Sequence, residues 1–408
     1  MAAAAVLAQP SYYPAANERI RIDGPDHEPY FPRVDGVPAG FPRQLHSPLV
    51  WDAKEMGSKN DWIIHLTDED TMALELALRT FQKSGLHVSQ ISKENFPLPE
   101  ELATLLDDVS EQCYSGRGFC VLRGLDPRRF TEEEHGVLYG GISAHVAPER
   151  GFQDFEKEQV LCSSSPSRSL PYVKKETIVS PGFTDGAMAF HTDLGDILSL
   201  YIVDVSAQGG RSLIASSWKV YNDLALEKPE VLHTLAENWT FDTFRDKDKY
   251  PPFTRPLLHC ADGKVIFQCS RRPFTGFRPL KRDPSLPPIT RRQIDALDSI
   301  HYYAARNAIT LDIQRGDVIY MNNMSILHGR ESYEKPANEN QTAPDTSAQD
   351  RHLLKFFLRD PKRAWKMPPA LEKLWHSIYG PNRPDGSREE VWVLVKEKGV
   401  PDRWQVNG

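Results

Sequence analysis

The chain is 408 residues long, enough for one large domain with additions or for two domains. Its 40% hydrophobic and 26% charged residues are the proportions of an ordinary water-soluble globular protein. A net charge of −7, a pI near 6.0 and the lack of a basic block interleaved with aromatics argue against a nucleic-acid partner.

Five cysteines (Cys113, Cys120, Cys162, Cys260 and Cys269) are odd in number and form no Cys-x-x-Cys pair. That pattern points to idle thiols in a reducing compartment rather than a disulfide framework or a zinc module. Residues 1–8 are apolar, but no basic residue precedes them and Pro10 and Pro14 follow closely, so they do not read as a secretory leader. No uninterrupted apolar run reaches membrane-spanning length. These features predict a cytoplasmic protein with no membrane partner.

Residues 1–60 carry many Pro and Tyr without sustained periodicity and predict an extended arm laid over the main body. Thr67 with Asp70 has the form of a helix start, a capping hydroxyl with an acid three positions on, and Met72, Leu74, Leu76, Leu78 and Phe81 follow. After Pro99, the residues Leu102, Leu105, Leu106, Val109 and Cys113 fall on one stripe of a second helix. Residues 61–117 are therefore expected to be a helical part packed on a core.

From Gly118 the pattern changes. Phe119-Cys120-Val121-Leu122 reads as a strand, and after a polar, irregular stretch (162–186) strand-like runs accumulate at 188–193, 197–205, 211–215, 265–269, 309–313, 317–321 and 352–358. Many short strands separated by Gly, Pro and Asp turns are the mark of a β-sandwich or barrel. Helices interrupt it: Ser217 is placed to cap 218–226, Pro229 to open another helix, and from Thr290 the residues Ile294, Leu297, His301 and Ala304 share one side. The expected fold is mainly β with helical insertions, a double-sheet jelly roll over 118–360 flanked by α-helices. Residues 335–350 are polar and rich in Asn, Gln, Thr and Pro, a surface loop between two strands. In the tail, 361–408, Trp365, Leu371, Leu374 and Trp375, then Val391 to Leu394, read as amphipathic helices and offer a surface for a homodimer.

Two stretches carry the chemistry. In Ala189-Phe190-His191-Thr192-Asp193, strand alternation turns His191 and Asp193 to the same face. Completed by the distant His328 in Ser325-Ile326-Leu327-His328-Gly329-Arg330, they make the two-imidazole, one-carboxylate set that holds non-haem Fe(II). That set leaves half of the coordination sphere open for a cosubstrate and O2. A bare His-x-Asp arises by chance; the order His-x-Asp, long middle, strand His and then Arg gives it weight. The Arg is Arg351, whose rigid, permanently charged fork suits the distal carboxylate of 2-oxoglutarate. Arg359, beside Asp360-Pro361, reads as a surface ion pair, and Arg330 as a support for the site or a structural group. Gly209-Gly210-Arg211-Ser212 lets backbone approach closely and places the Ser212 hydroxyl to bond the same carboxylate. Lys355, four residues after Arg351, either holds an anionic group of the substrate or is solvated.

Together these residues resemble the taurine/2,4-dichlorophenoxyacetate dioxygenase-like family of Fe(II)/2-oxoglutarate enzymes, which includes clavaminate-synthase-like proteins. The resemblance spans residues 118–360. It is carried by Phe119-Cys120-Val121-Leu122-Arg123-Gly124-Leu125, His191-Thr192-Asp193, Gly209-Gly210-Arg211-Ser212, Asp317-Val318-Ile319-Tyr320-Met321-Asn322-Asn323, Leu327-His328-Gly329-Arg330 and Arg351-His352-Leu353-Leu354. It implies a double-stranded β-helix, His191, Asp193 and His328 as iron ligands, and Arg351 with Ser212 as anchors of 2-oxoglutarate. Fe(II), 2-oxoglutarate and O2 follow as cofactor and cosubstrates.

Two departures stand out. The gap from His328 to Arg351 is longer than the family's spacing, which the 335–350 loop accounts for. Lys355 stands where taurine-type members place a second Arg, which disfavours a sulfonate and leaves a carboxylate. The expected activity is oxidation of an unactivated C–H of a small molecule (hydroxylation, desaturation or cyclisation) with release of succinate and CO2. The loops 162–186 and 335–350 are expected to gate the pocket. A non-catalytic jelly-roll binding protein and a zinc hydrolase are the other readings; the first leaves an intact metal set idle, the second leaves Arg351 without a role.

Overall fold

In the computed structural model, which describes residues 9–24, 34–57, 60–155, 157–164, 180–206, 208–334 and 351–393, two sheets enclose the core. The larger runs in the order Ile63–His65, Phe119–Arg123, Val318–Asn322, Ile197–Asp204, His352–Arg359, Gln159–Ser164 and Val391–Trp392, with Glu149–Gly151 also paired to His352–Arg359. The smaller runs Ile309–Leu311, Ser212–Ser216, Ile326–Arg330 and Met188–His191. Neighbouring strands come from distant parts of the chain and pair mostly antiparallel, the topology of a double-stranded β-helix, or jelly roll.

The two central strands of the large sheet, Ile197–Asp204 and His352–Arg359, are almost continuously apolar because both of their faces are covered. On the outer face, Phe356 stacks on Tyr139 of the helix Glu132–Val146. On the inner face, Leu353 and Lys355 of the same strand border a cavity between the sheets. The helix Glu132–Val146 is buried from Glu134 to Val146 on every side. Its Gly140-Gly141 pair admits neighbours onto the backbone: a Cβ at Gly141 would stand 2.5 Å from the Phe96 ring.

The helix Asp68–Ser84 opens with the expected capping box between Thr67 and Asp70, and Glu100–Tyr114 buries the expected stripe. The helix Arg291–Asn307 packs on the outside of the small sheet, against Met188–His191 and Ser212–Ser216. The helix Ser217–Glu227 is capped one residue earlier than expected, by the Ser216 hydroxyl, which accepts from the Lys219 N–H.

Three expectations change. The N-terminal arm is not wholly extended: Ala16–Asp23 is a short helix, pinned by the Arg21–Asp295 ion pair and by Ile22, which is fully buried. Residues 391–392 form a strand rather than a helix, because Trp392 lies edge-on to Phe356 and its backbone completes the large sheet beside Gln159–Ser164. That strand, Gln159–Ser164, itself runs into the stretch expected to be irregular, covering its first three residues, 162–164. The 335–350 loop, and 165–179 of the 162–186 stretch, lie outside the described residues, as do 394–408. Among the described residues no helix is long and apolar enough to cross a membrane.

Candidate active site

In the small sheet His191 stands directly opposite His328, with ring centroids 4.2 Å apart. The pairing slips between His328 and Arg330, so Ala189 and Phe190 together oppose Gly329. This β-bulge re-aims the strand just before His191. His191 is the last residue of the strand, so Asp193 is not brought to it by strand alternation, as the sequence suggested. A pinned turn does it. Thr192 N–H donates to the Cys269 carbonyl (2.9 Å), Asp193 N–H to Asn323 Oδ1 (2.8 Å), and Asn323 Nδ2 to the Leu194 carbonyl (2.9 Å).

The result is a compact donor set. One ligand atom from each of His191, Asp193 and His328 lies within 4.8 Å of the others, the only such cluster of three or more His, Cys, Asp or Glu among the described residues. His191 Nδ1 lies 2.9 Å from the Ala189 carbonyl, which can only accept, so Nδ1 carries the proton and Nε2 is left bare. That Nε2 is 3.8 Å from Asp193 Oδ1. Burial pushes the His191 imidazole down, and burial together with the neighbouring His191 pushes His328 down to about 3. Burial alone would raise Asp193, but the Lys355 ammonium and the two imidazoles outweigh it and hold the carboxyl below its usual range. His328 Nδ1 is buried with no hydrogen-bond partner. Two neutral imidazoles and one carboxylate, all deprotonated before any metal arrives, fit Fe(II).

These groups border a cavity of ≈ 100 Å³ between the sheets, together with Ser212, Arg351 and Lys355. Arg351 immediately precedes the strand His352–Arg359, and its guanidinium has no hydrogen-bond or ion-pair partner among the described residues. Burial, with Arg330 nearby, pushes it down to about 10, still charged at neutral pH. Ser212 sits across the ladder from Arg330. The close approach expected at the paired glycines is present: Gly209 has φ +75°, and a Cβ there would fall 2.7 Å from the Ser332 carbonyl oxygen.

Lys355 is not solvated. Its Nζ lies 3.3 Å from Asp193 Oδ2, so it touches the carboxylate oxygen that faces away from His191. Arg359 makes long ion pairs with Glu149 and Asp196, both at 3.7 Å. Arg330 borders the cavity but is also committed to structure, with Nη2 donating to the carbonyls of Thr184 (2.6 Å) and Gly186 (2.7 Å).

Sequence reasoning missed several neighbours of the site. Gln268 donates to the Asp193 carbonyl, and no motif marks it. Tyr12, from the N-terminal arm, packs edge-on to Phe277 (5.1 Å). Its phenol end is buried, which raises its pKa, against the opposing pull of Arg272, Arg271 and Arg330. Gln9 and Ser11 fasten this segment to Thr275 and Arg271. The Pro- and Tyr-rich composition of the arm gives no hint of that reach.

Known proteins resemble this chain in sequence and fold. The family model described as taurine catabolism dioxygenase TauD, TfdA family matches residues 81–355. Taurine hydroxylase-like protein SAT17 of Stachybotrys chartarum is 32% identical over 384 residues, 91% of this chain and 93% of that protein. FR-33289 synthase of Streptomyces rubellomurinus is 24% identical over 317 residues, 76% of this chain and 88% of that protein. The fold is shared with asparagine oxygenase, solved with Fe(II), 2S,3S-3-hydroxyasparagine and succinate, at a TM-score of 0.54 and 15% identity, covering 78% of this chain and 98% of that one. The chain therefore belongs to the taurine catabolism dioxygenase TauD, TfdA family and is an Fe(II)- and 2-oxoglutarate-dependent dioxygenase.

Proposed function

We propose that this chain hydroxylates an unactivated C–H of a small, carboxylate-bearing molecule, with His191, Asp193 and His328 as the iron ligands and Arg351 and Ser212 as the anchors of 2-oxoglutarate. One observation supports the reading: a guanidinium with no partner among the described residues and a neutral two-imidazole, one-carboxylate set share one cavity. Fe(II) held there with 2-oxoglutarate and O2 supplies the oxidising power, one oxygen atom entering succinate as CO2 leaves and the other going to the substrate carbon.

The chain's own residues bind and orient. Arg351 gains its missing anion when the distal carboxylate of 2-oxoglutarate docks, and Ser212 adds a hydroxyl donor to the same group. Leu198, Leu200, Leu353 and Met188 give the cavity an apolar wall that keeps bulk water from the reacting carbon. Lys355 uses one N–H on Asp193 Oδ2, and its remaining donors hold a carboxylate of the substrate.

The test is succinate formation from 2-oxoglutarate under O2 with Fe(II) and ascorbate, wild type beside His191→Ala. Slow iron-dependent turnover that disappears in the variant is the expected result, and candidate carboxylates are then ranked by how far they accelerate it. Failure of the wild type to bind either Fe(II) or 2-oxoglutarate would overturn the proposal. Mass spectrometry of the product separates gain of one oxygen (hydroxylation) from loss of two hydrogens (desaturation or cyclisation).

A further inference from the structure

The most exposed weakness of the donor set is Asp193, which sits on a turn rather than in a ladder. The turn is gripped from two sides. On one side Asn323 accepts the Asp193 N–H and donates to the Leu194 carbonyl. On the other, Gln268, 4% exposed, donates from Nε2 to the Asp193 carbonyl at 2.5 Å. The peptide groups on both sides of the carboxylate's Cα are thus each held by a side-chain amide.

Gln268 is itself held, and by an unusual partner. Arg255 ends the strand Phe253–Arg255, is 8% exposed and lies over the Phe241 ring at 4.3 Å. Its Nη2 donates to Gln268 Oε1 (3.2 Å) and its Nη1 to the Gln268 carbonyl (3.0 Å). No carboxylate pairs with it among the described residues, and its Nε has no partner. Burial pushes it down to about 10, so it remains a cation. A buried guanidinium without a counter-charge is costly to keep. Apart from an Nη1 contact to the adjacent Pro256 carbonyl (3.1 Å), this one grips both oxygens of Gln268. A cation donating to an amide oxygen polarises that amide and makes its N–H a stronger donor. Here that N–H is the one aimed at Asp193.

We propose that Gln268 is a positioning residue that keeps the Asp193 carboxylate in register with His191 and His328, and that Arg255 acts through it. The proposal rests on reading Asp193 as a metal ligand. Neither residue touches the reacting atoms; their effect is on how well the donor set is formed before metal binds. Partners of this kind shift metal affinity by about 10- to 100-fold.

Gln268→Glu is the decisive variant. It keeps the side chain's shape, gives Arg255 a carboxylate, and turns the donor facing the Asp193 carbonyl into an acceptor. Arg255→Lys is the milder one, keeping the charge but losing the fork. Co(II), titrated into the metal-free full chain and followed by its visible absorption, reports affinity and coordination without turnover; thermal unfolding reports the fold. The expected result is Co(II) affinity lower by about 10- to 100-fold in Gln268→Glu, with an altered spectrum and an unfolding temperature no lower than wild type. Arg255→Lys should show a smaller loss in the same direction. A merely structural role predicts the reverse: a lower unfolding temperature, with the folded variant binding Co(II) as wild type does. Unchanged affinity and spectrum in both folded variants would overturn the positioning role and leave the proposed function standing. A wild type with no Co(II) signal beyond that of His191→Ala would instead remove the metal site and both proposals with it.

Discussion

The two sheets bring different chemistry to one cavity. The small sheet contributes groups that must be neutral to work, His191, His328 and the Ser212 hydroxyl, whereas the large sheet contributes groups that must be charged, Arg351 and Lys355. Both face the same low-polarity interior, and its effect on them is opposite. Burial favours the neutral imidazole and so prepares the small sheet for a metal with no further device. Burial disfavours the guanidinium, so Arg351 acquires a strong demand for an anion. Lys355 has met that demand at Asp193; Arg351 has not met it among the described residues. On the proposed reading, one dry cavity both readies a metal set and recruits an anionic cosubstrate, because the same desolvation acts on opposite charge types.

Removing one of the three donor groups should break this division most severely. His191→Ala or Asp193→Ala is expected to lower iron-dependent succinate formation by more than roughly 100-fold, since a ligand outweighs the partners that only orient one. Metal retention after desalting, measured by atomic absorption, should fall in parallel while circular dichroism stays unchanged. Arg351→Met strikes the other side. Losing one partner of a buried charge pair costs about 2–5 kcal/mol, so the Kd of 2-oxoglutarate should rise roughly 30-fold or more. Metal affinity measured without cosubstrate should hold; a matching loss of metal in Arg351→Met would show that the two sheets cannot be separated in this way.

Lys355 sharpens the comparison because it is the large-sheet cation that reaches Asp193, on the turn that follows the small-sheet strand Met188–His191. Lys355→Ala is expected to raise the KM of an accelerating carboxylate substrate about tenfold, the cost of roughly one charge-assisted hydrogen bond, with 2-oxoglutarate binding little changed. If substrate KM does not move while metal affinity falls, Lys355 serves Asp193 alone and the carboxylate preference loses its support.

How much of this could be read from the chain follows the same line. A helix with one buried face and a strand covered on both announce themselves: the stripe from Leu102 to Cys113 is visible as periodicity and the run Ile197–Asp204 as an apolar block. The helix Glu132–Val146 is buried on all sides, so it has no stripe, and its Gly140-Gly141 pair looks like a turn until Phe96 and Trp392 are seen packed on it. His191, Asp193, His328 and Arg351 stand out in the sequence because His-x-Asp and the later His and Arg follow in order, and the structure brings them to one cavity. Their geometry does not stand out, since a bulge and a pinned turn, rather than strand alternation, bring Asp193 to His191. Gln268 and Arg255 were invisible because the role proposed for them rests on contacts to backbone carbonyls, which leave no pattern in sequence.

The smallest expected effect concerns what holds the small sheet from behind. His301, on the helix Arg291–Asn307, accepts the Phe190 N–H at Nδ1 (3.4 Å), next to His191, and packs against the rings of Phe190, Tyr13 and Tyr302. Burial, with Arg271 and Arg19 nearby, pushes it down to about 4. Protonation would also turn the accepting nitrogen into a donor facing a donor. Between its ordinary value near 6.5 and the folded value, the unfolded chain binds a proton that the folded chain refuses. Stability from this residue is therefore complete above about pH 6.5 and declines as the pH falls through the window, by about 1 kcal/mol on going from pH 7 to 5.5. Asp196 works in the opposite sense: burial raises it to about 6, so the folded state takes up a proton more readily there and gains as pH falls. The informative quantity is thus wild type minus His301→Gln, in which an acceptor remains and the titration is gone. Urea midpoints from pH 7 to 5.5 should fall more steeply for wild type than for the variant. Parallel slopes would mean that the helix supports the small sheet by packing alone, without an imidazole whose neutrality the fold requires.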